Sequence, residues 1–311
     1  MAWNGKKVLV TGARGFIGKY LVARLLDQGA DVIGLTIDAG PAGDHIQWAK
    51  GDITNAASIK GLCRDVDVVF HLAAISNVDA SVRDPIRTIS TNTMGTANLL
   101  EEARTCGAKK FVYISSAHVY GVPQYVPVDE SHPTVPREAY AASKIASEQI
   151  VQAYANSYGL DFAILRPFNV FGAGQDPSFL IPGTISQALA KGSIRVGNTD
   201  PTRDFLYVDD AVSGFLYAGD RGTGVYNIGS GEDRSIASVV EKIRNLVDSR
   251  IPIESDEGRK RTGQVEVPRL CADVSRLKAL GWKPAVGFDE GLACAIAAER
   301  LASNRKNSIY S

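Results

Sequence analysis

Through the first half of the chain, short unbroken apolar runs alternate with stretches in which apolar positions recur every three or four residues. The runs are KVLV from Lys7, DVIGL from Asp31, VDVVFHLA from Val66 and KFVYIS from Lys110. Between them lie helical patterns over Gly15 to Gly29 and Asn92 to Cys106. Such alternation predicts a doubly wound α/β fold, a parallel sheet with helices on both faces. The runs show almost no polar alternation, as expected of strands covered on both sides. A further helix is expected from Ala139 to Tyr158, with Ile145, Ile150, Val151 and Tyr154 apolar, followed by a strand FAILRP that Pro167 closes. Beyond Asn169 the texture changes to loops rich in Gly, Pro, Asp and Asn, interleaved with helices near Ile181 to Lys191 and Ile236 to Asp248. The expected organisation is a first domain over 1–168 and a smaller mixed α/β lobe over 169–311, with some chain crossing back. Only the closing SNRKNSIYS reads as a frayed tail.

Composition narrows the class. With 311 residues, 45% of them hydrophobic, the chain can bury a full core, which fits a globular enzyme and excludes a disordered scaffold. Thirty-four acidic side chains cancel thirty-four basic ones, so no global field draws the protein to nucleic acid or to an anionic membrane. Recognition of phosphate must therefore be local. MAWNGKKVLV runs straight into a strand, and no apolar stretch is long enough to span a bilayer, so the expected location is cytoplasmic. Cys63, Cys106, Cys271 and Cys294 are scattered without CxxC pairing and read as reduced thiols, with no metal site.

Candidate chemistry begins after the first strand, where Thr11, Gly12, Ala13, Arg14, Gly15, Phe16, Ile17 and Gly18 spell TGxxGxxG. Glycine there lets the backbone approach a pyrophosphate, and the following helix offers it free N–H groups and a positive dipole end. The strand before and the helix after supply the context of a dinucleotide-binding turn. A ribose-binding carboxylate is expected about twenty residues on. Thr36 holds that position, with Asp38 two residues later. Asp38 on the ribose favours NAD; Thr36 with Arg14 would leave room for NADP. Asp52 and Ile53 are candidates for the adenine, with a helix cap as the alternative role of Asp52.

Tyr140 and Lys144 stand four residues apart, on one face of a predicted helix. A cation near the phenol is expected to lower its pKa, so that tyrosinate takes a proton from a hydroxyl and tyrosine returns one to a ketone. Upstream, ISSAHVYG ends a strand in Ser115 and Ser116, whose hydroxyl is positioned to hold the reacting oxygen against the phenol.

In order, TGxxGFIG, HLAA at 71–74, SSAHVYG, YAASK at 140–144, RPFNVFG at 166–172, RDFLYVDD at 203–210 and LGWKP at 280–284 cover nearly the whole chain. Together they resemble the extended short-chain dehydrogenase/reductases of the NAD-dependent epimerase/dehydratase family, which act on nucleotide sugars. The resemblance implies a Rossmann-type first domain and a catalytic group of Ser116, Tyr140 and Lys144, with Lys144 also on the nicotinamide ribose. It implies NAD, with NADP as the alternative, and further cofactor contacts from Leu72, Ala73, Ala74, Asn92 and Pro167. For the substrate it implies Asn169, Arg203 and Arg261 at the diphosphate, where guanidinium groups suit paired hydrogen bonds. His118, Ser178 and Phe179 join them in the substrate pocket. VGNTDPTRDF and SFLIP resemble the branch acting on 4-keto-6-deoxy sugars, many of them GDP-linked, so the expected partner is a UDP- or GDP-linked hexose. A 4-epimerase leads, a 4-keto reductase follows closely, and a 4,6-dehydratase is third, because Ala117 and His118 stand where dehydratases carry acids. A sensor that binds NADPH without turnover would not need Ser116, Tyr140 and Lys144 together. Relatives commonly form homodimers through two helices, for which Leu99, Ala103, Ile145 and Tyr154 are candidates here, with packing against the sheet as the alternative role of many of them.

Overall fold

The computed structural model describes the chain except for residues 1, 39, 41–44, 191, 260–266 and 310–311. Strands β1 (Lys7–Thr11), β2 (Asp31–Thr36), β3 (Gln47–Lys50), β4 (Val68–His71), β5 (Lys110–Ile114) and β6 (Asp161–Pro167) form a parallel sheet in the order β3-β2-β1-β4-β5-β6. The order reverses between β1 and β4, and in open α/β sheets ligands bind in the crevice at such a switch point. The unbroken apolar runs account for the burial: every residue of β4 and β5 is buried.

Helices on the two faces are α1 (Phe16–Asp27), the short α2 (Val78–Arg83) and α3 (Pro85–Ile89), α4 (Gly95–Cys106) and α5 (Ala139–Tyr158). A π-helical turn, Ser90–Met94, joins α3 to α4. The predicted helix from Asn92 therefore begins within that turn. Leu99 and Ala103 are fully buried in a core shared with Phe111, Val151 and Ile164. Of the two roles expected for these residues, a dimer face is corrected to packing within the chain, because α4 turns them onto its own sheet.

The later chain adds β7 (Asn169–Phe171), α6 (Leu180–Leu189), β8 (Ile194–Val196), β9 (Thr202–Tyr207), α7 (Val208–Arg221), β10 (Gly224–Ile228), β11 (Asp233–Ser235), α8 (Ile236–Val247), β12 (Ile253–Ser255), β13 (Arg269–Leu270), α9 (Ser275–Ala279) and α10 (Phe288–Ile309). β10 returns to the large sheet, parallel to β6, as its seventh strand. β9 is flanked by β11 and β13 and also pairs with β7, which makes a small mixed sheet, and β8 pairs with β12. Backbone helix runs through most of the segment expected to be a frayed tail. Among the described residues, no helix is long and apolar enough to cross a membrane, and no group of His, Cys, Asp and Glu could hold a metal.

Candidate active site

The glycine turn is built by close packing. Gly12 has φ +66, and a Cβ there would sit 2.9 Å from the backbone N of Ala73; one on Gly18 would sit 2.2 Å from the Gly12 carbonyl oxygen. Both positions demand glycine for contact, and Gly12 for conformation as well. Gly15 then starts α1 with no side chain capping its first N–H groups, so they and the dipole face the crevice. This cradle fits the pyrophosphate of a dinucleotide.

His71 braces it. Thr96 donates its hydroxyl to the Asn92 carbonyl at 2.6 Å, so at 3.0 Å it accepts from His71 Nε2–H. Nδ1 therefore accepts from the Thr11 hydroxyl at 2.8 Å, and the same Thr11 oxygen accepts from the Ala73 N–H at 3.1 Å. Complete burial pushes the imidazole down to about 3 and keeps it neutral. Asn92 clamps the next segment, accepting from Ile75 N–H at 2.8 Å and donating to Ile75 O at 3.1 Å and Ser143 Oγ at 2.9 Å.

The sequence candidates at this end divide. Leu72, Ala73 and Ala74 follow β4 beside the glycine turn, half-buried, and Pro167 is buried at the end of β6. Arg14 is exposed at the turn, whereas Phe16 and Ile17 are half-buried in the first turn of α1. Thr36 is half-buried at the end of β2, and Asp38 is exposed two residues on. Asp52 bonds the N–H and hydroxyl of Thr54 through Oδ1, so its carboxylate forms a local turn, and Asn55 caps the helical turn that follows. Ile53 is buried where a Cβ on Gly95 would meet its side chain at 2.6 Å. Asn92 spends its amide on the clamp.

Helix α5 carries Tyr140 and Lys144. Glu138 caps it by accepting from the Ala141 N–H at 2.7 Å, and Gly159 ends it in the left-handed conformation at φ 71. Its buried positions include Tyr140, Lys144, Ser147, Glu148 and Val151, one face at helical spacing. Lys144 Nζ donates to the Ile114 carbonyl at 2.6 Å and lies 5.8 Å from the centre of the Tyr140 ring. Burial pulls this ammonium down to about 7, against the opposing pull of Glu148. Burial pushes the Tyr140 phenol up to about 12, while a hydrogen bond with Ser116 lowers it. The expected acidification by the cation is therefore overridden: desolvation dominates, and the ammonium is bound to a backbone carbonyl.

Ser116, just past β5, caps the turn Ala117–Tyr120 by accepting from the His118 N–H at 3.2 Å. Beneath it lies a network that sequence reasoning missed. Glu148 accepts two hydrogen bonds from Arg166, at 3.0 and 2.6 Å, and one from the Ser115 hydroxyl. Arg166 also donates to Tyr120 Oη at 3.0 Å, which donates to Asn227 Oδ1 at 2.6 Å. Both charges are almost fully buried, so the paired geometry is what makes them tolerable. The available signal was spacing, since Glu148 lies four residues beyond Lys144 on the same face.

A cleft of about 640 Å³ opens beside Ser116, lined by His118, Asn169, Ser178, Phe179 and Arg203 among others. Asn169 donates to the Asp204 carbonyl at 3.1 Å. Arg203 donates to the carbonyls of Thr202 and Val267, at 2.8 and 2.6 Å. Asp204 faces the other way, fully buried, and accepts from Ser230, Gly231 and Ala272. Arg261 lies outside the described residues. Arg195, Arg137 and Glu138 also line the cleft, and sequence reasoning singled out none of them.

A dinucleotide-binding turn at the sheet's switch point, a Ser–Tyr–Lys group and a cleft beyond the ends of β4 and β5 define a nicotinamide-dependent enzyme class. The chain belongs to the NAD-dependent epimerase/dehydratase family, whose model matches residues 8–229. It is 37% identical to a UDP-glucose 4-epimerase of Mycolicibacterium smegmatis over 305 residues, covering 92% of this chain and 96% of the relative. It is 32% identical to a GDP-6-deoxy-D-mannose reductase of Pseudomonas aeruginosa, covering 92% and 95%. The Thermus thermophilus UDP-glucose 4-epimerase, solved in complex with NAD, superposes with a TM-score of 0.86 at 29% identity, covering 94% of this chain and 99% of that one. The protein is an NAD-dependent enzyme of nucleotide-sugar metabolism.

Proposed function

We propose that the protein is a 4-epimerase of a UDP- or GDP-linked hexose, with Ser116, Tyr140 and Lys144 as its reacting group. The observation that carries the reading is the convergence of these three side chains between an uncapped glycine-turn helix and the cleft holding Asn169 and Arg203. Similarity to a UDP-glucose 4-epimerase across nine-tenths of the chain favours epimerisation.

In this reading the uncapped start of α1 holds the NAD pyrophosphate, and Lys144 holds the ribose next to the nicotinamide. Bound there, NAD would supply a reversible hydride acceptor for hexose carbon 4. Ser116 donates a hydrogen bond to the oxygen on that carbon and so fixes its distance from Tyr140. Tyr140 takes the hydroxyl proton as the ketone forms and gives it back as the alcohol re-forms, so no net proton is needed. A charged Lys144 beside the phenolate stabilises it, against the burial that raises the phenol and lowers the amine. Arg203 and Asn169 hold the diphosphate, leaving the 4-keto hexose free to present either face of its carbonyl.

The similarity to a GDP-6-deoxy-D-mannose reductase supports a second reading, reduction of a 4-keto sugar with NAD(P)H supplied from solution. One experiment separates the two. The protein is purified without added cofactor and denatured, and any released dinucleotide is identified by chromatography. The epimerase reading expects close to one NAD or NADH per chain, because the carrier must stay through each turnover. An empty protein that binds added NADPH favours the reductase.

A further inference from the structure

A second aromatic ring lies closer to the Lys144 ammonium than that of Tyr140. Lys144 Nζ stands over the Tyr113 ring, 4.8 Å from its centre, against 5.8 Å for Tyr140. Tyr113 is on β5 immediately before Ile114, whose carbonyl accepts the one hydrogen bond that Nζ makes among the described residues. Both side chains are buried, Tyr113 at 1% exposure and Lys144 at 3%. His71 stands opposite Tyr113 in register on β4, and the two rings pack with centres 5.8 Å apart. Because Thr11 and Thr96 hold the imidazole, its contact fixes the Tyr113 ring beside the ammonium.

The charged and titratable groups around Lys144 offer it little else. Burial pulls the ammonium down to about 7, and Glu148, one turn along α5, opposes that. The Glu148 carboxylate, however, already accepts two hydrogen bonds from Arg166 on β6 and one from Ser115, so much of its charge is answered there. His71 on β4 is kept neutral by burial and by the neighbouring ammonium. Burial pushes up the phenols of Tyr140 on α5 and Tyr113 on β5, so neither brings an anion to the unliganded site. What β5 does bring is the electron-rich face of an aromatic ring, which attracts a cation within about 6 Å, most strongly where water is excluded.

We propose that Tyr113 is a positioning residue for Lys144, whose ammonium the face of its ring holds charged and in place between β5 and α5. The proposal rests on the reading of Lys144 as the cation beside the phenolate, and not on epimerisation. It accounts for an ammonium kept in a dry site on a single hydrogen bond. Without the ring face, Lys144 would lose its proton at lower pH and the Tyr140 phenolate would lose its countercharge.

The test reads Lys144 directly. Protein carrying isotope-labelled lysine is titrated by NMR as purified, and the Lys144 Cε resonance is assigned by its absence from Lys144→Met. Tyr113→Phe keeps the ring face, and phenylalanines bearing one, two and three ring fluorines at the same position keep its shape while draining the face of electron density. Tyr113→Phe is expected to leave the Lys144 midpoint unchanged. Each added fluorine should then lower it, by about one pH unit across the series. A merely packing role would leave the midpoint where it is, because the shape does not change. A midpoint that stays fixed as fluorines are added, or one that falls in Tyr113→Phe and moves no further, overturns the proposal. The titration needs no substrate, so failure of the epimerase reading shows as absent conversion and failure of this proposal as a fixed midpoint.

Discussion

Burial strips water from both Tyr140 and Lys144. A phenol pushed up to about 12 and an amine pulled down to about 7 are each held in the neutral form more firmly than in water. A substrate hydroxyl between Ser116 and Tyr140, with charge nearby, has to overcome that cost, and binding energy from the diphosphate end is what can offset it. Replacing Tyr140 by Phe removes the proton carrier but keeps the ring. Turnover of the sugar nucleotide is expected to fall about a thousandfold while the bound dinucleotide is retained. Activity within tenfold of wild type would contradict the assignment. At this scale the sequence was informative where chemistry depends on spacing, since Tyr140 and Lys144 needed only a helix and Ser116 only a strand end. Glu138 and Glu148 were not legible, because a glutamate on a helix usually reads as a solvated charge. The long-range contacts with His118 and Arg166 change that meaning.

The elements meet through small polar joints. His71 links β1 to α4 through Thr11 and Thr96, and Asn92 joins the π-helical turn to α5 through Ser143. Because His71 is neutral when folded and reaches only about 3, its ordinary value near 6.5 in the unfolded chain sets a pH window. The unfolded state binds the extra proton between those values, so this group's contribution is complete above pH 6.5 and is lost as pH falls toward 3. Denaturant unfolding should therefore show stability dropping by up to about 1.4 kcal/mol per pH unit from this one group within the window. A His71→Gln variant should show a shallower slope, and an unchanged slope would contradict the account. The long helices and the buried strands were readable from their apolar period. The short helices α2 and α3 were not, because caps define them: Asn77 accepts from Ala80, Asp84 accepts from Arg87, and Pro85 opens the first turn.

Across the whole molecule, the crevice is made where the first sheet's switch point meets the loops of the later chain. Strand β10 returns to the large sheet, Asn227 on it holds the carbonyls of Val128 and Asp273, and Val128 N–H donates to Cys271 O. Such ties across a hundred residues leave no local pattern, which is why the change of texture after Asn169 was visible in sequence but the mixed sheet around β9 was not. Arrangement of the cleft around hexose carbon 4 is the central claim, and UDP-glucose or GDP-mannose carrying deuterium at carbon 4 tests it most directly. Incubated with the protein and no added cofactor, one of them should give its 4-epimer with the deuterium still on carbon 4 of both sugars. Loss of the label to solvent, or no conversion of either sugar, would contradict the account.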